Sequence, residues 1–345
     1  MLAIDFFCGA GGLTRGFLNA GIPVVVGIDI DEYCRETYER NNNPSCFLAV
    51  DVRNLELKDI KRYISGVARN DLLLAACAPC QPFTKLKQNK ARGSEATLLG
   101  QFMRFVEGLK PGQIFIENVP GLAKVSGFST YKRFRQLLAD LEYECCEGVI
   151  DAKAYGVPQT RRRLAMIAIK GVKPTLPSPT HGPGLLPFQT VENAIRHYPP
   201  IKAGEIHPTV PNHRASVLSP INLKRIKSTP HNGGDRRAWP INLKLECHTN
   251  GHSGHTDVYG RMWWKRPAPA LTCRCDSLSN GRYGHPGQDR AISLREAARL
   301  QSFDDSYIFY GPSKNHLAAQ IGNAVPVKLA EAISRHILEL TNHIP

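Results

Sequence analysis

The sequence predicts an α/β protein: a Rossmann-like, doubly wound sheet with a smaller, irregular domain attached. Three observations predict it. Short apolar runs alternate with amphipathic stretches through the first half, a glycine-rich turn follows the first run, and after Lys170 the periodicity gives way to clustered Pro, Gly, His and Asn. Repeated strand–helix alternation argues for a parallel sheet covered by helices on both faces.

The predicted strands are Leu2–Phe7, Pro23–Asp29, Phe47–Val50, Leu72–Ala76 and Ile114–Glu117, each a short apolar run bounded by turn or polar residues. Between them, Leu13–Ala20 has helical spacing and is stopped by Gly21, Glu32–Arg40 follows an acidic start, and Leu98–Leu109 runs into Lys110-Pro111. Cys145–Ile150 and Leu164–Ile169 extend the sheet. Helical patterning returns in Ser293–Gln301 and, after Pro326, in Val327–Leu340. The chain therefore divides into 1–170, the sheet; 171–290, the irregular domain; and 291–345, a hinge and C-terminal helix returning to the sheet.

Charge follows the same division. The chain carries 44 Lys+Arg against 30 Asp+Glu, a net +14, which favours a polyanionic partner. Residues 1–170 contribute +5, residues 171–290 contribute +9 along with 15 of the 25 prolines, and the remainder is neutral. Basic pairs at Lys224/Arg225, Arg236/Arg237 and Lys265/Arg266 suit loops laid along a nucleic-acid groove. An irregular solvated domain is the plainer alternative. The ten cysteines have no framework spacing, which argues against a disulfide scaffold and for a reducing cytoplasm. No apolar run reaches transmembrane length, and Met1 opens directly on a strand-like segment without a leader, so a soluble, cytoplasmic, non-membrane protein is expected.

The chemistry-bearing residues sit at predicted strand ends. Phe6-Phe7-Cys8-Gly9-Ala10-Gly11-Gly12 lets a ligand approach the backbone at the carboxyl edge of the sheet, where open parallel sheets bind. The dinucleotide fingerprint would need glycine at Thr14, so a nicotinamide enzyme is disfavoured. Asp29, Asp31 and Asp51 end the second and third strands. Such carboxylates can accept from ribose hydroxyls or an adenine amino group, although Asp31, just ahead of a helix, reads better as an N-cap. Cys80, between Pro79 and Gln81-Pro82, is a poor core residue and a well-placed nucleophile that needs nearby positive charge or a helix N-terminus to ionise. Glu117 brings a carboxyl to the same edge, where burial beside an apolar strand would favour its protonated form. In Gln159-Thr160-Arg161-Arg162-Arg163, alternation puts Arg161 and Arg163 on one side and Arg162 on the other, unless the stretch is an ordinary solvated turn.

Taken in order, Phe7-Cys8-Gly9-Ala10-Gly11, Pro79-Cys80-Gln81, Glu117-Asn118-Val119, Gln159-Thr160-Arg161-Arg162-Arg163 and Gly322-Asn323-Ala324-Val325-Pro326 resemble the motif set of the C5-cytosine DNA methyltransferases. Arg295 to Phe303 resembles that family's penultimate, mostly structural motif. The resemblance implies an S-adenosylmethionine-dependent methyltransferase fold, with 1–170 as catalytic and cofactor-binding domain and 171–290 as target recognition domain. It implies that Phe7, Gly9 and Gly11 line the S-adenosyl-L-methionine pocket, Asp29 holds the ribose, Ile30 packs on the adenine, Asp51 meets its amino group, and Leu98 and Asn323 to Val325 close the site. Cys80 is then the nucleophile, Glu117 holds the cytosine, and Arg161 and Arg163 orient the flipped base and Cys80. Double-stranded DNA is the implied substrate, the enzyme a monomer, and a cognate restriction endonuclease a possible partner in a restriction-modification system.

Two other readings compete. One branch of the family methylates tRNA and shares Pro82-Phe83-Thr84, but its later Cys-Phe-Thr tripeptide is missing here. A non-catalytic DNA-binding relative would have no use for Cys80 and Glu117. Cys247-His248, His252 and His255, with Cys273 and Cys275 downstream, do not follow a standard zinc pattern, and no metal is expected.

Overall fold

The computed structural model of the protein describes residues 1–79, 96–124, 129–246 and 257–342. Among them, one seven-stranded sheet is built from β1 (Leu2–Phe6), β2 (Val24–Asp29), β3 (Cys46–Ala49), β4 (Leu72–Ala76), β5 (Gln113–Asn118), β6 (Tyr143–Asp151) and β7 (Arg162–Lys170). Its order is β3-β2-β1-β4-β5-β7-β6. The chain winds outward from β1 to β3, then returns to place β4 on the other side of β1. The carboxyl ends of β1 and β4 thus flank the topological switch point, where ligands enter an open sheet.

The expected parallel sheet is in fact mixed: β1 to β5 are parallel, but β7 runs antiparallel to both β5 and β6. The reason is the link. Residues 152–161 join β6 to β7 through a single 3-10 turn at Ala152–Tyr155, and a parallel return would need a longer crossover. Every residue of β4 and β5 is buried; β4 is apolar throughout, while β5 flanks its apolar centre Ile114–Ile116 with Gln113, Glu117 and Asn118, and β6 at the edge is partly exposed.

Two compact units make up the chain. The first comprises Met1–Tyr155, Arg162–Pro179 and Ala324–Pro345. It holds the sheet with α1 (Gly12–Asn19), α2 (Arg35–Asn41), α3 (Leu57–Lys61), α4 (Ala96–Leu109), α5 (Ser129–Asp140) and α10 (Val327–Thr341). Its core centres on Ile4, Phe6, Leu74, Phe102, Phe105, Ile114 and Ile116, with the Phe6 ring 5.2 Å from Phe102 and 5.1 Å from Phe105. Helix α1 packs closely on α10 because Gly16 has no side chain: a Cβ there would lie 2.2 Å from that of Ala330.

The second unit comprises Gly156–Arg161 and Thr180–Asn323, with α6 (Val191–Ile195), α7 (Pro220–Lys227), α8 (Leu294–Leu300) and α9 (Lys314–Asn323). The packing boundary differs from the compositional one: it takes in the turn before β7 and runs to the end of α9. Instead of ladders, described backbone outside the helices makes isolated bridges such as Gln159↔Ala268 and Arg261↔Gly284. Arg261, Arg290 and Arg295 are fully buried. Arg261 donates to the carbonyls of Ile226, Thr229, His285 and Gln288 and pairs with Asp289. Arg295 serves Pro211, Asp304 and Tyr307, and Arg290 grips Glu296 through two bonds of 2.7 Å.

Candidate active site

The parallel strands of the first unit deliver their ends to one edge. Past β1 the backbone turns through three left-handed residues, Phe7 (φ 61°), Gly9 (φ 49°) and Gly11 (φ 84°), which begins α1. At Gly9 the requirement is conformational, since a Cβ would meet nothing within 4 Å. Its N–H donates to Asp29 Oδ2 at 2.8 Å, and Asp31 N–H donates to Asp29 Oδ1 at 2.9 Å. Burial pushes the Asp29 carboxyl above the ordinary range while these donors hold it back.

A layer beneath, Asp5 is fully buried and accepts from the Thr14 hydroxyl at 2.7 Å; that hydroxyl lies 3.0 Å from Tyr38 Oη. Desolvation raises the Asp5 carboxyl to about 7. Thr14, read in the sequence only as a missing glycine, braces the turn from behind. Asp5 was missed altogether; a carboxylate inside an apolar strand was the available signal.

Beside Asp29, Ile30 is 66% exposed. An apolar side chain in solvent next to a carboxylate with spare lone pairs fits a ligand that presents a flat base and ribose hydroxyls. Asp31 caps the following turn, accepting from Tyr33 N–H at 3.1 Å, as the sequence indicates. Asp51 is already engaged: Arg53 donates to it through its backbone N–H and Nε, both at 2.9 Å, which holds the carboxyl below its usual range. Leu98 is half-buried against the first unit's core and Val325 is buried in that unit, while Asn323, at the end of α9, is exposed in the second.

Cys80 lies outside the described residues, as do Pro82-Phe83-Thr84 and Cys247, His248, His252 and His255. The approach to Cys80 is visible as far as Pro79. Ala78 O accepts from Asn118 Nδ2 at 3.0 Å, and Asn118 Oδ1 accepts from Val119 N–H at 2.8 Å, so the exits of β4 and β5 are tied together. The neighbouring thiols make poor nucleophiles. Burial pushes both Cys8 and Cys77 well up, aided by the charges of Asp5 and Asp29 at Cys8 and of Glu117 and Asp5 at Cys77.

Glu117 is 7% exposed near the end of β5, and Arg163 Nε reaches its Oε1 from β7 at 2.9 Å. The two arginines expected to work as a pair are used differently. Arg163 meets Glu117 in the first unit, whereas Arg161, in the second, donates to Leu271 O at 2.8 Å and Gly322 O at 3.1 Å. Arg162 is exposed. Alternation holds only inside a strand, and β7 begins at Arg162.

Among the described residues no group of three or more His, Cys, Asp or Glu could hold a metal, and no helix is long and apolar enough to cross a membrane. The described cysteines are free thiols; Cys273 is exposed, while Cys275 is buried with its sulfur 3.7 Å from Ala318 O.

A sheet in this order with one reversed strand, a glycine turn after β1 and a carboxylate at the end of β2 defines an S-adenosylmethionine-dependent methyltransferase fold. The chain belongs to the C-5 cytosine-specific DNA methylase family, whose model matches residues 1–339. It is 38% identical over 341 residues to the Type II methylase M.HgiDII of Herpetosiphon aurantiacus, covering 97% of this chain and 94% of that protein. It is 31% identical over 344 residues to the Type II methyltransferase M1.HphI of Haemophilus parahaemolyticus, covering 99% and 87%. Among solved structures, a prophage-encoded DNA modification methyltransferase of E. coli superposes with a TM-score of 0.77 at 23% identity, over 99% of this chain and 100% of that one. Spodoptera frugiperda DNMT2 gives 0.65 at 15% identity, over 99% of both. The protein is a DNA (cytosine-5-)-methyltransferase that uses S-adenosyl-L-methionine as methyl donor.

Proposed function

We propose that Cys80 is the nucleophile of this methyltransferase, that Glu117 holds the target cytosine, and that Arg163 orients Glu117 and the base. The observation that carries this reading is the Glu117–Arg163 ion pair at the carboxyl edge, one strand from the β4 exit that leads to Cys80. C5 of cytosine is a weak nucleophile in an aromatic ring. Attack of the Cys80 thiolate on C6, with Glu117 stabilising N3, converts the C4–C5 portion into an enamine. When bound, S-adenosylmethionine would supply an electrophilic methyl group for C5, the S–CH3 bond breaking with its electron pair on sulfur to leave S-adenosylhomocysteine. Loss of the C5 proton and expulsion of the Cys80 sulfur restore the ring and free the enzyme. The reacting base must leave the duplex, at a cost of a few kcal/mol offset by phosphate and pocket contacts.

Phe7, Gly9, Gly11, Asp29 and Ile30 are the residues proposed to hold the cofactor, closed over by Leu98, Asn323 and Val325. Asp51 can reach an adenine amino group with the outer lone pairs that Arg53 leaves. Sequence choice is assigned to 171–290, where +9 of the net charge resides. That the chain's relatives are a Type II methylase and a Type II methyltransferase supports a restriction-modification setting with a cognate endonuclease. We assign the enzyme to the cytoplasm as a monomer acting on one duplex site.

A duplex carrying 5-fluorocytosine at the target position tests the central assignment, because fluorine cannot leave as a proton does. The wild-type enzyme is expected to form a stable adduct at Cys80, and Cys80→Ala none. Undiminished adduct from Cys80→Ala, or one mapped to Cys8 or Cys77, would overturn it.

A further inference from the structure

We infer that Arg161 is a positioning residue that caps the carboxyl end of α9 and so sets the turn leading into Asn323–Val325. The inference rests on the reading that this turn contacts the cofactor. The last carbonyls of a helix lack partners within it, and a cation there is favoured by the helix dipole. In α9 the partners come from afar: Gly322 O accepts from Arg161 Nη2 at 3.1 Å, and Ile321 O from Gln301 Nε2 at 2.8 Å.

Both donors belong to one buried network. Arg161 Nη1 donates to Leu271 O at 2.8 Å, while Leu271 N–H donates to Gln159 Oε1 at 3.0 Å, so Leu271 is gripped on both sides. Gln159 Nε2 in turn donates to Gln301 Oε1 at 2.9 Å and to Leu300 O at 3.2 Å. Gln159 and Gln301 are fully buried and Arg161 is 3% exposed, so a lost donor leaves a carbonyl that water reaches poorly. The fit is close as well as polar. A Cβ on Gly322 would stand 1.9 Å from Thr272 O, so the helix end lies directly on the Leu271–Thr272 backbone that Arg161 holds.

Titration of S-adenosylhomocysteine into the full-length enzyme, alongside steady-state kinetics on target duplex, tests this. Arg161→Lys is expected to weaken binding about tenfold, and Arg161→Met more, while kcat at saturating cofactor stays within about threefold of wild type. Arg163→Lys is expected to do the reverse, lowering kcat and 5-fluorocytosine adduct formation with cofactor affinity unchanged. Gln301→Asn, which disturbs only the Ile321 cap, is expected to give a smaller loss of affinity and serves if Arg161→Lys does not fold. Wild-type affinity in a folded Arg161→Lys, or in Gln301→Asn where Arg161→Lys is unfolded, overturns the inference, even with a lowered Tm. Asn323→Ala separates the two layers: reduced affinity there leaves the reading of the turn standing, and unchanged affinity means that reading has failed as well.

Discussion

The two units solve the same problem, the pairing of buried backbone polar groups, by different means. In the first, β4 and β5 pass through the centre of a ladder, and each buried peptide is paired by its neighbour strand. In the second, few peptides pair in ladders, and guanidinium groups take their place: Arg261 alone serves four carbonyls. A ladder constrains sequence only to be apolar and strand-forming. An arginine hub leaves the loops around it free in sequence and length but makes the unit depend on a few side chains. That is a reasonable construction for a region assigned to reading DNA, where loop shape must vary while the frame persists.

The comparison breaks most directly at Arg261. Arg261→Leu would strand four carbonyls, costing about 3–5 kcal/mol, while the part-exposed Asp289 carboxylate stays solvated. Amide exchange is expected to show protection lost in the second unit and kept in β4 and β5. Equal loss in both would mean that the units do not differ in their supports. Phe105→Ala is the counterpart in the first unit, removing a ring from the centre of the core, at about 3–4 kcal/mol. There the expected loss is in the protection of the sheet.

Titration sharpens the contrast, because the units respond to pH with opposite sign. Folded Asp5 keeps its proton up to about 7, against 3.8 ordinarily, so its contribution is full below pH 3.8 and lost as pH rises through 7. In the second unit, Glu296 is held at about 2, mainly by Arg290 against its burial, and burial holds His285 at about 4. Both are depressed. Their contributions are present above the ordinary values of 4.5 and 6.5 and lost as pH falls through about 2 and 4. Asp5→Asn should therefore remove about 2 kcal/mol of the decline in sheet stability between pH 5 and 7, followed by amide exchange. An unchanged slope would show that Asp5 is ionised in the folded protein.

The smallest expected effect is at Ser293, whose hydroxyl caps α8 by accepting from Glu296 N–H at 3.1 Å. Ser293→Ala should cost about 1 kcal/mol, visible as a slightly lowered urea midpoint.

All seven strands overlap their predicted runs because a short run with an apolar centre bounded by turn or polar residues is a local signal, at the buried centre of the sheet as at its edges. The Asp31 cap was legible for a similar reason: capping depends on residues two or three apart. The different partners of Arg161 and Arg163 were not, since those of Arg161 are carbonyls supplied by Leu271 and Gly322, more than a hundred residues away. Nor could the role of Thr14 be read: Asp5 stands out as a carboxylate in an apolar strand, but its partner is fixed only once the turn folds over it.

By itself, then, the sequence determined the strands, the helices α1, α2, α4, α8 and α10, and the motifs that identify the family, and it set Gly9, Asp29 and Glu117 at strand ends. Each of these follows from local pattern, since strands, caps and glycine turns are specified within a few residues. Only the tertiary structure decided the reversal of β7, the pairing of Arg163 with Glu117, the capture of Arg161 by the end of α9 and the replacement of ladders by buried arginines. These depend on which distant groups burial leaves in need of a partner, and a buried polar group takes whichever donor or acceptor the packing brings within reach.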